Sequence, residues 1–205
     1  FAGIMQYQGL NFAIPVEYLK IILPRLYYGG KILHSFVGVY GKTAKDKGVE
    51  VLWMQKSSPA KYAGIKEGDI ITAVNGKKVL SLEELHLRQI SVLPNSIIEY
   101  TVLDKSGEEK NILVLTEVRA KYPGLNFYKK DSVPNVLYPL FGMKLKNVSS
   151  GLGNKYIVDE VVKGSIADES GFTELDPVKI YKTYLSPEKD ILFTEIYSKK
   201  RSNGY

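Results

Sequence analysis

The sequence predicts a mainly β protein with capping helices, an α+β fold that contains two copies of one unit. Two observations support this prediction. Short segments rich in apolar and β-branched residues are separated by turn dipeptides such as Asn75-Gly76, a pattern typical of strands joined by tight turns. A set of residues also recurs later in the chain at one constant spacing, which indicates an internal duplication. The 205 residues are enough for one large domain or two small ones.

The duplication consists of five identities at a single offset of 107 positions. The pairs are Lys56 and Lys163, Ser58 and Ser165, Ala60 and Ala167, Gly64 and Gly171, and Asp69 and Asp176. Apolar positions follow the same offset, since Val51 corresponds to Val158. We therefore expect two copies of one fold.

The elements are clearest in the first copy. A strand is predicted over residues 49–54, followed by a short helix over 58–64, because Ser58 can cap it and Pro59 suits its first position. A second strand over 69–74 ends at Asn75-Gly76. Ser81 and Glu84 then form a capping box for a helix over 81–92, which stops before Pro94. Two further strands are predicted over 97–103 and 111–117, with a turn near Ser106-Gly107.

The segment SSPAKYAGIKEGDIITAVNGKKVLSLEEL, residues 57–85, resembles the body of a bacterial PDZ domain. The resemblance spans residues 35–118 and implies a partly open β-barrel or sandwich. The segment QGLNFAIPVEYLKIILPRLYYGGKI, residues 8–32, is similar to the stretch that ends the protease domain of HtrA/Deg-type (trypsin-like) serine proteases. The order of protease end, PDZ domain, linker and second PDZ domain is the architecture of that family.

This resemblance implies four segments. Residues 1–32 are expected to be the last strand and helix of a protease domain, 33–118 the first PDZ domain, 119–139 a linker, and 140–205 a truncated or degenerate second PDZ-like domain. Residues 1–14 are predicted to form a strand and a turn. Pro15 is expected to open a helix that Gly29-Gly30 closes and that Pro24 kinks or ends early.

The second copy is shorter than the first by about the length of the 81–92 helix. Residues 190–197 are predicted to form a strand that turns at Ser202-Asn203-Gly204. The alternative is a helix capped by Ser186, with Pro187 next.

The resemblance also implies where a peptide would bind. PDZ domains receive a C-terminal carboxylate on the backbone N–H groups of a short loop, and the peptide adds as a strand beside the next strand. The matching residues here are Phe36, Val37, Gly38 and Val39. The alternative is that they are only an apolar strand entry. The opposite wall would be the 81–92 helix, where Leu82, His86 and Gln89 share one face.

A possible second peptide site lies in the second copy. Phe141, Gly142, Met143 and Leu145 resemble the carboxylate loop. However, no long helix is evident there to form the opposite wall.

No residue of a catalytic triad is expected in this chain. The family requires a His, an Asp and a Ser within a Gly-Asn-Ser-Gly-Gly run, and no such run occurs. The nucleophile would precede Phe1, so we expect the chain to be a piece or mature product of a longer protein and inactive alone. We predict no metal site and no cofactor, because the chain has no Cys and no clustered ligand set.

Composition argues against several classes of partner. The net charge of +6 is divided equally between residues 1–120 and 121–205, with no basic stripe of the kind that follows phosphates. We expect no nucleic-acid binding and no membrane insertion. The resemblance implies unfolded proteins or protein C-termini, the rest of the protease and a trimer-based homo-oligomer as partners.

Two functions remain open at this stage. The first is the peptide-binding, regulatory region of an HtrA-like endopeptidase for protein quality control in the bacterial periplasm or envelope, recognising apolar C-termini. The alternative is a non-proteolytic PDZ scaffold that serves assembly or adhesion.

Overall fold

A computed structural model of the chain describes residues 14–27, 32–122, 128–149, 155–186 and 191–199. These residues form two compact units. The first unit comprises the described residues up to Val37, Gly41–Val51 and Tyr62–Arg119. The second unit comprises Gly38–Tyr40, Leu52–Lys61 and the chain from Ala120 onward.

The first copy of the repeat follows a helix, α1 (Val16–Tyr27). Its elements, in chain order, are β1 (Ser35–Phe36), β2 (Val39–Ala44), β3 (Gly48–Met54), α2 (Pro59–Ala63), β4 (Ile70–Val74), β5 (Lys77–Lys78), α3 (Leu82–Ser91), β6 (Ile97–Leu103), β7 (Glu109–Leu115) and β8 (Glu117–Val118). The main sheet has the order β2-β3-β4-β6-β7, with β5 paired to β4, and β1 pairs separately with β8. β2 therefore lies at an edge of the sheet.

The predicted caps and turns of the first copy are present. The Ser81 side chain accepts the N–H of Glu84 at 3.2 Å, and Glu84 accepts the N–H of Leu80 at 2.8 Å. Asn75 and Gly76 both have positive φ, 48° and 70°, as a two-residue hairpin turn requires. The inward faces of the sheet and of α3 supply the core, which includes the buried residues Val49, Ile71, Leu85, Ile98, Tyr100 and Val114.

The second copy contains fewer elements. They are α4 (Val133–Phe141), β9 (Met143–Asn147), β10 (Lys155–Val161), α5 (Ile166–Glu169), β11 (Pro177–Ser186) and β12 (Ile191–Ser198). The strands form one antiparallel sheet in the order β12-β11-β10-β9. Both sheets are open. The predicted fold class, mainly β with helices in an α+β arrangement, is confirmed.

The duplication is visible in the hydrogen bonds. The N–H of Val51 donates to Asp69 O at 2.8 Å, and the N–H of Val158 donates to Asp176 O at 3.0 Å. The α2 helix is capped by Ser58, which accepts the N–H of Lys61 at 3.4 Å. Ser165 caps α5 in the same way, accepting the N–H of Asp168 at 3.3 Å. Each equivalent pair is 107 residues apart, so the sequence repeat corresponds to a repeat of backbone geometry.

A helix covers the second sheet, but it comes from a different part of the chain. Only four residues lie between β11 and β12, so no counterpart of α3 fits there. Instead α4, which precedes the sheet, packs Val133, Leu137 and Phe141 against a core that includes Val158 and Ile180. These three positions are four residues apart and share one helix face.

One sequence prediction needs correction, a second is narrowed to one of its alternatives, and a third is confirmed. Residues 133–139 were predicted to be linker but lie in α4, because the prolines sit at its start and near its end. Of the two alternatives for Pro24, a kink or an early end of the helix, the early end is wrong, because α1 continues to Tyr27. The strand alternative for residues 190–197 is confirmed by β12. The predictions for residues 1–13, Gly29-Gly30 and Ser202-Asn203-Gly204 lie outside the described residues.

None of the described helices is long and apolar enough to cross a lipid bilayer. In the same residues no three His, Asp or Glu side chains converge on a position that could hold a metal ion.

Candidate peptide-binding site

The loop between β1 and β2 has an unusual backbone. Gly38 has a φ of +81°, a conformation that side chains with a Cβ disfavour. Its carbonyl accepts the N–H of Gln55 at 3.0 Å. This bond fixes the orientation of the Gly38–Val39 peptide plane, at the point where the loop enters β2.

The N–H groups of this loop are not used by the rest of the fold. Within the described part of the chain, neither Val37 nor Gly38 donates its backbone N–H to a protein acceptor. Both residues are buried, and only 5% of Val37 is exposed. Buried backbone donors are nearly always satisfied in folded proteins. The loop thus presents two adjacent backbone N–H groups that have no acceptor among the described residues.

The α3 helix is tied to the chain on either side of the loop. At its first turn the N–H of Leu82 donates to Thr43 Oγ1 at 3.0 Å. At its last turn the Ser35 hydroxyl donates to Gln89 O at 2.7 Å. These two bonds satisfy backbone groups that a helix end leaves open, and they hold both ends of α3 in place. Neither Ser35 nor Thr43 belongs to a sequence pattern that would predict these bonds, because an isolated hydroxyl residue carries no local signal.

The three predicted wall residues differ in what they contact. Leu82 is half-buried at the first turn of α3. The Gln89 amide donates to the hydroxyl of the buried Tyr100 at 3.0 Å, so Gln89 also supports the core. Tyr100 has a raised pKa, because burial outweighs the effect of the bond to Gln89.

His86 lies one turn before Gln89, with its side chain largely at the surface. Partial desolvation, and then the positive charge of Arg119, lower the pKa of His86 below its ordinary value of 6.5. The imidazole is therefore neutral at neutral pH. Whether Leu82, His86 and Gln89 touch a peptide stays a prediction.

The corresponding loop of the second copy is built differently. Gly142 also has a φ of +81°, but it forms the C-cap of α4, and its N–H donates to Tyr138 O at 2.9 Å. A Cβ at this position would overlap the Ser165 side chain. Phe141 belongs to α4, and Met143 is fully buried. The Gly142 N–H, which corresponds to an N–H of the carboxylate loop in the first copy, therefore already donates to a carbonyl at the C-terminus of α4.

Within the second unit, α4 and the residues before it contact the segment Leu52–Lys61. Lys56 Nζ lies 2.8 Å from Asp131 Oδ1, and the Asp131 side chain is only 2% exposed. Burial opposes ionisation of Asp131, but hydrogen bonds from Lys56, Asn135 and Ser132 prevail and hold its pKa below the ordinary value. The Tyr40 and Tyr138 rings pack edge to face in the same unit, with centroids 6.0 Å apart.

Comparison with known sequence families identifies both copies. Residues 124–205 match the family described as "TP0546 family PDZ domain", and residues 50–89 match a general PDZ domain family. The first of these ranges includes α4.

Curated relatives are HtrA-type proteases. The chain is 29% identical over 112 residues to the serine endoprotease DegS of Haemophilus influenzae, covering 54% of this chain and 33% of that protein. It is 27% identical over 182 residues to the periplasmic pH-dependent serine endoprotease DegQ of Escherichia coli, covering 83% and 38%. A probable periplasmic serine endoprotease DegP-like of Brucella suis is 32% identical over 118 residues, covering 52% and 23%. This chain thus spans much less than two thirds of each relative.

Solved structures that match part of this chain include the HtrA-type protease AlgW with a decapeptide, at 20% identity and a TM-score of 0.48, covering 55% of this chain and 38% of AlgW. The HtrA3 PDZ domain bound to the phage-derived ligand FGRWV has 23% identity and a TM-score of 0.38, covering 42% and 88%.

The repeat, the loop before β2 and the matches to both copies lead to one assignment. This chain contains PDZ domains and, over part of its length, is homologous to the HtrA serine proteases DegS, DegP and DegQ.

Proposed function

We propose that this chain is the peptide-binding, regulatory PDZ region of an HtrA-like serine endopeptidase, and that its first PDZ domain captures C-termini that end in an apolar residue. The observation that carries the proposal is the pair of unsatisfied N–H groups at Val37 and Gly38, beside the edge strand β2.

The chemistry of the loop suits a carboxylate. Its oxygens would accept the N–H groups of Val37 and Gly38, and such charge-assisted bonds are shorter and stronger than neutral ones. The backbone of the peptide would pair with the free edge of β2, which extends over six residues from Val39 to Ala44. Apolar residues flank the loop glycine, which favours an apolar last residue.

The parent protein is proposed to act in protein quality control in the bacterial periplasm. The relatives named periplasmic endoproteases support this location. In this proposal the PDZ region delivers exposed C-termini to a protease domain that the described residues do not contain.

The test is peptide titration of the 205-residue chain, followed by backbone amide chemical shifts. We expect a peptide ending in Val with a free carboxylate to shift the amides of Val37 to Tyr40. The same peptide with an amidated C-terminus should bind roughly tenfold more weakly or worse, since a charge-assisted hydrogen bond is worth about 1.5–3 kcal/mol.

A peptide with the same composition but ending in Asp provides the control for the apolar pocket. Equal affinity of acid and amide forms would show that the loop does not bind carboxylates. Equal affinity for Val and Asp endings would refute the apolar preference alone.

A further inference from the structure

A chain of polar contacts connects the loop glycine, Gly38, to the start of the helix α4. The backbone N–H of Gln55, just after β3, donates to the Gly38 carbonyl at 3.0 Å. The next residue, Lys56, places its Nζ 2.8 Å from Asp131 Oδ1. Asp131 in turn directly precedes Ser132, the N-cap of α4. The residue that holds the loop carbonyl is therefore bonded in sequence to a residue that α4 anchors.

Both ends of this path are shielded from water. Gln55 is only 1% exposed, and Gly38 is buried. The Asp131 side chain is 2% exposed, and its Oδ1 also accepts the backbone N–H of Ser132 at 2.7 Å and the side-chain amide of Asn135 at 2.9 Å. A buried carboxylate is costly to leave without its donors. These bonds therefore tie Asp131 firmly to the first turn of α4.

A second contact with α4 lies two residues after Gly38. The Tyr40 ring, on β2, packs edge to face on the Tyr138 ring of α4, with centroids 6.0 Å apart. Tyr138 is only 4% exposed, so the pair is largely excluded from solvent on the helix side. Aromatic rings in this arrangement attract each other beyond the effect of the area that they bury. Gly38 is thus linked to α4 through both Gln55 and Tyr40.

The helix α4 is itself an integral part of the second copy. Gly38–Tyr40, Leu52–Lys61 and the chain from Ala120 onward all belong to the second compact unit. Within that unit α4 packs on the core of the second sheet and is joined to β9 directly through Gly142. Because such contacts are closely packed, a displacement of α4 also disturbs the residues on both sides of the loop glycine.

We propose that α4 holds the carboxylate loop of the first PDZ domain in its binding conformation, with Lys56, Asp131 and Tyr138 as positioning residues that do not touch the peptide. This inference rests on the proposed function of the loop and gives the second copy a regulatory role, the support of the first peptide site. Coupling between two sites is reciprocal. A carboxylate bound at the loop therefore also stabilises α4 in its packed position.

The experiment measures how tightly the full 205-residue chain binds a Val-ending peptide with a free or an amidated C-terminus. Lys56→Ala removes the ammonium beside Asp131, and Tyr138→Leu removes the ring that Tyr40 contacts. We expect each variant to bind the free acid roughly five- to tenfold more weakly, whereas binding of the amide changes little. The ratio of the two affinities is the decisive readout, because a general loss of stability lowers both affinities equally.

Matched variants control for the loss of a charge or a ring. Lys61→Ala removes an exposed lysine from the same segment, and Tyr181→Leu removes an exposed ring from the same unit. Both should keep the acid-to-amide ratio of the parent chain. Lys56→Arg retains a cation for Asp131 and should restore most of the ratio. An unchanged ratio in Lys56→Ala and Tyr138→Leu, or an equal fall in the control variants, would overturn the proposal.

A readout without peptide separates this inference from the proposed function. Hydrogen exchange of the Gln55 amide, which donates to the Gly38 carbonyl, should be faster in Lys56→Ala than in Lys61→Ala, while β6 amides stay equally protected in both. If the parent chain binds no peptide, the proposed function fails, yet faster Gln55 exchange in Lys56→Ala still supports the link from α4 to the loop. Equal Gln55 exchange in the two variants would contradict that link, whether or not peptide binds.

Discussion

Asp69 and Asp176 make the same turn, 107 residues apart. Each carboxylate accepts the backbone N–H of the residue three positions earlier, Lys66 or Thr173, at 2.9 Å. Each aspartate also donates its own N–H to the carbonyl of that residue at 3.2 Å. Both side chains are buried. The repeat thus preserves a buried polar turn, whereas the helix that covers each sheet is not preserved.

Because the two turns are equivalent, replacing either aspartate with alanine should lower the stability of its own copy by a similar amount. Asp69→Ala and Asp176→Ala each leave the part-buried backbone N–H of Lys66 or Thr173 without its carboxylate acceptor, which costs about 1–3 kcal/mol. We expect each to destabilise its own copy by that amount, measured by hydrogen exchange of β4 and β11 amides. Strong protection of β11 in Asp176→Ala, with β4 weakened in Asp69→Ala, would mean that the second turn is not needed.

Gly38→Ala should abolish carboxylate recognition, because alanine disfavours the φ of +81° that directs the loop amides. Gly76→Ala is the matched control, since Gly76 has a φ of +70° and open space around it. Both variants should lose about 1 kcal/mol of stability. The binding of a Val-ending peptide, followed by calorimetry, should fall in Gly38→Ala alone.

Thr43→Val should weaken peptide binding by roughly two- to tenfold. The change keeps the shape of the side chain but removes the acceptor that fixes the first turn of α3 at Leu82. Peptide titration measures this effect. Lys42→Ala, next to it on β2 and outside this bond, should bind as the parent chain does.

The stability of the first PDZ domain should fall as the pH drops below about 6.5, with His86 as one cause. The pKa of His86 is lowered by desolvation and by Arg119, so the unfolded chain takes up a proton at a higher pH than the folded chain. Between the two pKa values acidification therefore favours unfolding, and the loss levels off below both.

The measurement is urea unfolding at several pH values, followed by the fluorescence of Trp53, the single tryptophan. His86→Gln should flatten the dependence of stability on pH in this window. If the free energy of unfolding depends on pH equally in the parent chain and in His86→Gln, then His86 is not a cause of the loss of stability at low pH.

Lys56→Ala should loosen the start of α4, because it removes the ammonium beside the nearly buried Asp131 carboxylate. We expect a loss of about 1–3 kcal/mol, seen as faster hydrogen exchange of α4 amides. Lys61→Ala, an exposed lysine on the same segment, should have no effect. Asp131→Asn should restore part of the loss in the double variant, since no charge is then left buried.

The sequence predicted most of the first copy because each of its elements has a local cause. Ser81 and Glu84 begin a helix by capping it, and Asn75-Gly76 begins a hairpin by its backbone preference. The loop Phe36–Val39 was identified by resemblance, and the structure adds the observation that the backbone N–H groups of Val37 and Gly38 donate to no described protein acceptor. The positions of Ser35 and Thr43 depend on contacts 54 and 39 residues away in sequence, which no local pattern encodes.

The second copy was less predictable for a related reason. Three prolines made residues 119–139 typical of a linker, but Pro134 lies in the first turn of α4, where its missing N–H costs nothing. Pro139 lies inside the helix, near its end. The apolar spacing of Val133, Leu137 and Phe141 is present in the sequence, yet it crosses residue 140, where the proline-rich segment was predicted to end and the second copy to begin.

The helices α3 and α4 occupy different positions in the order of elements, and this difference disfavours the exchange of strands between the two similar sheets during folding. Similar repeats in one chain risk exchanging strands, a known route to misfolded multidomain proteins. Here α3 follows β4, whereas α4 precedes β9 and is joined to it directly through Gly142. In the second copy the helix α4 comes before the first strand, whereas in the first copy α3 comes just before the last strands. A hybrid sheet that combines the first strands of copy one with the last strands of copy two would therefore have no covering helix. The opposite hybrid would have two. Neither hybrid can bury its apolar face as the native copies do, so the order of the chain itself disfavours the exchange.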